Sequence, residues 1–423
     1  MFTEEIHSSS KKLMAESKIY QLDNGMRVVY KHDSSIVAHL GVMMKAGSKY
    51  ERENEYGLAH FLEHSFFKGT THRKAFHVLS RLDSVGGELN AYTTKEEICV
   101  YGSFTDNHFV RAVELLSDIL FNSVFPIKEI EKEKAVIIDE INSYLDSPSE
   151  KIFDDFEMYL YPNHPLGHNI LGSVESVESF TKDDLHSYLE RFLFPDNMVI
   201  SFVGNLKLDF VLKQLNHFFG GFKKKSSLPK IGLPNDSKPF HIELAESNYQ
   251  SHIMLGGKAP SYFDPDRTAF ALITNVLGGP ALNSRLVLGI REKYGYTYNI
   301  ESSYNAFEET GYWNVYAGTD PKYQKKTIQL IEKEIALFMN EVFSDTQLKK
   351  VKEQIKGQLA LSMDNNVNVM LNLAKNLLVY NQLDTLSDTY QKIDSISGKD
   401  IQRVSQIYFP KEKQSDLIFT VED

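Results

Sequence analysis

Cysteine is nearly absent: Cys99 is the only one in 423 residues. An internal disulfide is therefore excluded, and so are thiolate zinc and iron–sulfur sites, which need several cysteines. A transition metal has only histidine and carboxylate to bind to. No apolar run approaches the roughly 20 residues that cross a bilayer, so no membrane span is expected. The N-terminal stretch MFTEEIHSSSKKLMAESK lacks both an apolar core and an Arg-rich amphipathic pattern. Neither a secretory nor a mitochondrial leader is read there, and a cytoplasmic location is expected. Positive charge is not in excess either. The formal net charge of −11 speaks against a nucleic-acid protein, whose binding face is normally basic, and favours neutral or basic partners.

What is present is a chain longer than one hydrophobic core usually organises, so at least two domains are expected. The same order of elements is read twice. In the first half, strands are read at Lys18–Tyr30 and Val37–Ala46, a helix at Tyr56–Lys68, and a strand across Glu88–Phe104. Helices over His108–Phe121 and Ile127–Tyr144 follow, and Met198–Gly204 closes as a strand. The second half repeats this with Phe240–Leu244, Ser251–Leu255, a helix at Asp266–Leu277, and strands from Tyr296 to Tyr316. Helices at Lys322–Val342 and Thr346–Met363 come next, before a closing strand at Asp416–Val421. The segment CVYGSFTDNHFVRAVELLSDIL aligns by eye with NVYAGTDPKYQKKTIQLIEKEIAL: a strand, a polar turn, an amphipathic helix. Between the halves, GGFKKKSSLPKIGLPNDSK is rich in Gly, Pro, Ser and Lys, as a linker should be. The expected fold class is α+β: two homologous domains, each a mostly antiparallel sheet with helices packed on it, joined by a linker into a clamshell. The boundaries are residues 1–219, 220–239 and 240–423.

Chemistry concentrates in His60-Phe61-Leu62-Glu63-His64. On a helix, His60, Glu63 and His64 fall within an arc of about 100°. Two imidazoles at i and i+4 can meet one cation, with Glu63 beside them and able to reach water at the metal. This is the inverse of the HExxH order, the inverzincin signature. Three polar residues on one side of a surface helix are the plainer account. A catalytic zinc usually takes three protein ligands, and EIEKEKAVIIDEINSY offers the third. Ile130, Ile137, Ile141 and Tyr144 recur at helical spacing and define its buried stripe. Asp139 and Glu131 lie off that stripe, whereas Glu133 and Glu140 lie on it. A buried acid is costly unless paired or coordinating a cation. Glu140 as third ligand and Glu133 as a neighbouring or proton-handling group account for both placements; salt bridges to Lys or Arg are the other solution.

HFLEH, followed by Glu140 within EKAVIIDE, resembles the pitrilysin family, which includes insulin-degrading enzyme and mitochondrial processing peptidase, and the resemblance covers essentially the whole chain. It implies a zinc endopeptidase acting on extended, unstructured peptides inside a chamber, with one zinc per chain on His60, His64 and Glu140. Glu63 is then the general base and Glu133 an assisting residue. Family members also show a glycine turn and edge strand similar to Gly86–Thr93, and a segment like HPLGHNILG. Asn90 and Ala91 are expected to line that edge and hold substrate by β-augmentation, although any sheet strand would read the same way. Arg291 and Tyr298, in REKYGYTY, match an Arg and Tyr that bind substrate or the transition state from the second domain. Gly278-Gly279-Pro280 is similar to a glycine-rich loop that touches substrate or helps the halves move; a helix C-cap followed by proline explains it equally. His164 and His168 are read as structural, and Lys223–Lys225 as a solvated run. The resemblance further implies a homodimer, or a heterodimer with an inactive family member. The alternative function is a non-catalytic scaffold or partner subunit of a processing-peptidase-like complex.

Overall fold

The computed structural model describes residues 17–234 and 238–422. Most of the N-terminal stretch searched for a leader, and residues 235–237 of the expected linker, lie outside them. No described helix is long and apolar enough to cross a membrane.

The chain forms two compact units. Among the described residues, one comprises those up to Ile138, 170–230 and Leu361–Thr385; the other comprises Asp139–Asn169, 231–360 and those from Leu386 on. The strands are β1 (Lys18–Gln21), β2 (Arg27–His32), β3 (Val37–Met44), β4 (Glu88–Thr93), β5 (Ile98–Thr105), β6 (Met198–Gly204), β7 (His241–Glu246), β8 (Ser251–Ala259), β9 (Thr297–Ala306), β10 (Gly311–Thr319) and β11 (Ser415–Val421). The helices that matter for the argument are α1 (Leu58–Ser65), α2 (Ala75–Asp83), α3 (Phe109–Asn122), α4 (Ile127–Leu145), α5 (Pro148–Leu160), α6 (Lys182–Phe192), α7 (Leu208–Phe219), α8 (Arg267–Gly278), α9 (Gln324–Asn340) and α10 (Asn366–Tyr380).

The first unit is built on a sheet of order β1-β2-β6-β3-β5-β4, the second on β7-β11-β8-β10-β9. Leaving out β1, the two orders are the same. β2 with β6 and β7 with β11 run parallel; the other pairs are antiparallel. Each sheet is therefore mostly antiparallel, with helices packed on it. β6 (MVISFVG) is buried at every position, the mark of a central strand covered on both faces. On one face, Val369, Met370, Leu373 and Leu377 of α10 pack with Val29, Met43, Cys99, Val199 and Val203. On the other, Phe109 of α3 meets Phe202, with ring centroids 5.1 Å apart. In the second unit, Trp313, Val315 and Ala317 of β10 share a core with Phe270 and Ile273 of α8 and Ile331 and Ile335 of α9. The aligned segments fold alike: β5 leads through a short 3-10 turn into α3, and β10 through another into α9.

The stretch Glu88–Phe104 differs from the single strand expected. It is a hairpin, because Thr94 closes a turn: its N–H donates to the Glu97 carbonyl at 2.8 Å, and its Oγ1 accepts from the Glu96 and Glu97 amides. The hairpin leaves β4 at the sheet edge. Lys18–Tyr30 likewise divides into β1 and β2 around Gly25, whose φ is 91°.

Candidate metal centre

The local sequence of α1 sorts itself. Leu58, Phe61, Leu62 and Ser65 recur at i, i+3, i+4 and i+7, and all are buried. That apolar arc turns the opposite arc, with His60, Glu63 and His64, to one common side. His60 is buried, while Glu63 and His64 are half-buried. The ring centroids of His60 and His64 lie 4.6 Å apart. Burial, with His64 adding to it, pushes the His60 imidazole down to about 3. His60 is thus held in the neutral form, the form that donates to a metal.

Glu133 and Glu140 sit seven residues apart on α4, on nearly the same azimuth; the division between the units falls between them, inside this one helix. One ligand atom each from His60, His64 and Glu140 lies within 4.8 Å of the others. Two imidazoles and one carboxylate are a donor set that suits zinc. Glu133 is buried, and its charge is met: Lys68 Nζ lies 2.6 Å from Oε1, and His64 Nδ1 lies 3.2 Å from Oε2. The ring N–H donated to Glu133 leaves the Nε2 lone pair of His64 for a ligand. Glu140 corrects one expectation, because it is exposed rather than buried. Azimuth fixes which side a residue faces; burial depends on what covers that turn, which periodicity does not encode. Lys68 was not singled out in the sequence. The signal was a basic residue four positions after His64, just past the end of α1.

α1 packs against β4. Along that edge strand Asn90 is exposed and Ala91 half-buried. Tyr101, opposite Asn90 on β5, has its phenol raised by burial, with Glu63 among the negative charges that add to it. In the second unit, Arg291 lies in the last turn of a π-helical stretch, Val287–Glu292. Its guanidinium lies 5.0 Å from the ring centroid of Tyr298, a side chain that is 82% exposed at the start of β9. Both line an open cleft with Tyr296, Thr297, Asp320 and Tyr323. Gly278 ends α8, and the Gly279 amide donates to the Asn275 carbonyl at 2.9 Å, as a helix end does. His164 accepts from the Leu166 amide, and its other ring nitrogen lies 3.0 Å from the Gly232 carbonyl oxygen.

Two family models match successive parts of the chain. Residues 27–174 match the model of insulinase (peptidase family M16), and residues 179–355 that of the peptidase M16 inactive domain. A Bacillus subtilis protein named an uncharacterized zinc protease is 31% identical over 405 residues, 95% of this chain and 98% of its own. A Mycobacterium leprae protein with the same description is 30% identical over 390 residues, 91% of this chain and 87% of its own. A probable mitochondrial-processing peptidase subunit beta of Arabidopsis thaliana is 26% identical over 426 residues, 96% of this chain and 79% of its own. Two solved structures share the fold. One is a peptidase M16 inactive domain from Pseudomonas fluorescens (TM-score 0.90, 18% identity, covering 96% of this chain and 98% of that one). The other is a Helicobacter pylori protease (TM-score 0.89, 21% identity, 96% and 100%). At 31% identity along nearly the full length of both chains, this chain belongs to peptidase family M16.

Proposed function

We propose that this chain is a zinc-dependent endopeptidase that hydrolyses peptide bonds in extended, unstructured peptides. One observation carries the reading: the donor atoms of His60, His64 and Glu140 converge within 4.8 Å of one another. His60, His64 and Glu140 would hold the ion. Zinc held there supplies a Lewis acid that polarises a peptide carbonyl and lowers the pKa of water to about 7.

The remaining steps belong to the chain's own groups. Glu63, beside the two imidazoles on α1, accepts a proton from the attacking water as its oxygen bonds to the carbonyl carbon. It then returns that proton to the amide nitrogen as the carbon–nitrogen bond breaks. Glu133 accepts a hydrogen bond from Nδ1–H of His64 and keeps the ring oriented. Arg291 and Tyr298 supply donors for the substrate or for charge developing on its carbonyl oxygen. Asn90 and Ala91, on the edge strand β4, hold the peptide as an added strand.

Zinc content and cleavage of a quenched extended peptide, measured for wild type and Glu63→Gln, test the proposal. The expected result is about one zinc per chain in both, with turnover removed by chelation and by the substitution. A zinc-free wild type would overturn it. Equal behaviour of wild type and Glu63→Gln, with zinc bound in both, would favour a non-catalytic scaffold or partner subunit.

A further inference from the structure

Helix α1 starts without a side chain able to cap it. Its N-cap is Gly57, at φ 98°, in the left-handed region that favours glycine. A Cβ there would stand 2.6 Å from the Leu171 carbonyl oxygen and 2.9 Å from the Gly172 Cα. The serine, threonine or aspartate that normally caps a helix is therefore barred from this position. The N–H groups at the helix start still need acceptors, and Glu51, six residues before Gly57, provides one for Ala59 and one for Gly57 itself. Its Oε1 accepts from the Ala59 amide at 2.7 Å and its Oε2 from the Gly57 amide at 3.1 Å.

Glu51 is 6% exposed, a setting in which a carboxyl is costly. Burial pushes it up to about 8, while the two backbone donors pull the other way. The segment around it is pinned from several sides. Lys49 is buried and lies 2.6 Å from Glu96 Oε1. Arg191 of α6 donates twice to Glu55, at 2.8 and 2.6 Å. The Tyr188 hydroxyl, also on α6, donates to the Ala46 and Gly47 carbonyls. A carboxyl is thus delivered by a rigid loop to the one turn of α1 that bears His60.

We propose that Glu51 is a positioning residue of the metal centre, capping α1 in place of the side chain Gly57 cannot supply and so fixing the turn that presents His60. This rests on the ligand set of the proposed function. Aspartate, one methylene shorter, reaches at most one of the two amides. Glutamine keeps the volume but turns an NH2 group toward one of the two N–H groups, so one bond is lost and two donors face each other.

The experiment is a competitive chelator titration of zinc against the full chain, for wild type, Glu51→Gln and Glu55→Gln, with melting temperatures of the metal-free proteins. Glu55→Gln weakens the Arg191 pair in the same loop and leaves the cap intact. The expected result is that Glu51→Gln binds zinc about tenfold more weakly than wild type. Glu55→Gln should stay within about twofold while losing comparable thermal stability, which a general loosening of the loop would not produce. Zinc affinity of Glu51→Gln within about twofold of wild type would overturn the inference. If Glu51→Gln does not accumulate as folded protein, Glu51→Asp carries the same test, and wild-type affinity in it overturns the inference equally. A wild type that binds no zinc sinks the proposed function instead. The cap is then read by hydrogen exchange over Gly57–His60 in the metal-free protein, where unchanged protection in Glu51→Gln counts against it.

Discussion

Burial holds His60 in the form a metal ligand needs, and that has a consequence for the metal-free protein. In the unfolded chain a histidine titrates near its ordinary value of 6.5, whereas in the fold His60 is pushed down to about 3. As pH falls, the unfolded state takes up the proton first, so the fold loses stability. The contribution is complete above about pH 6.5 and is lost progressively toward pH 3, amounting to about 2 kcal/mol at pH 5. Urea midpoints of the metal-free protein at about pH 7.5 and pH 5 check this, compared with His60→Gln, which cannot titrate. The wild type should lose more on acidification than the variant by that amount; parallel losses would count against a neutral, buried His60. Glu133 shows a different solution to burial: its carboxylate lies against Lys68 and the His64 ring. Of the two outcomes open for a buried acid on the α4 stripe, pairing with a base is the one Glu133 takes.

At the scale of elements, β4 matters because it has a single paired neighbour, β5. An edge strand presents unpaired N–H and C=O groups that an extended peptide can adopt as a partner. Only alternate amides of such a peptide face the edge. A series of substrate peptides, each N-methylated at one backbone position, should therefore show raised KM at every second position with kcat little changed. Uniform tolerance of methylation would remove β-augmentation from the mechanism. Much of this layer could be read from the residues. The apolar arc of α1 and its polar opposite follow from spacing alone, as does the stripe of Ile130, Ile137 and Ile141, all buried. The Thr94 turn that makes β4 an edge was less visible, because TTKEE carries neither glycine nor proline to mark it. The membership of α10 was not visible at all. Leu361–Thr385 lies late in the chain yet clusters with the first unit, and no local pattern in an apolar helix names the sheet it will cover. The same limit explains Glu140: its azimuth was legible, its exposure was not.

The whole molecule repeats one strand order in two units and gives the HxxEH motif to one of them. α8 follows β8 as α1 follows β3, but its sequence, RTAFALITNVLG, holds neither histidine nor glutamate. Without that motif the second unit can still contribute donors, and Arg291 beside Tyr298 is the pair proposed for that work. The guanidinium stacks on a ring that is 82% exposed. So exposed a cation–π contact is worth only about 0.5–1 kcal/mol to the fold, but a guanidinium held on an aromatic face keeps its N–H fork oriented. Removing it should separate binding of the metal from turnover. Arg291→Ala is expected to keep the wild-type zinc content, because the proposed ligands are elsewhere in the sequence. Its kcat/KM should fall by about two orders of magnitude, the size of effect that loss of one oriented donor to a developing oxyanion produces. Tyr298→Phe, which keeps the ring under the guanidinium and removes only the hydroxyl, should lie between wild type and Arg291→Ala. Steady-state kinetics with metal analysis on the same preparations decides the matter. If Arg291→Ala lost zinc along with turnover, the effect would be one of folding; if it kept full kcat/KM, Arg291 would have no part in the chemistry.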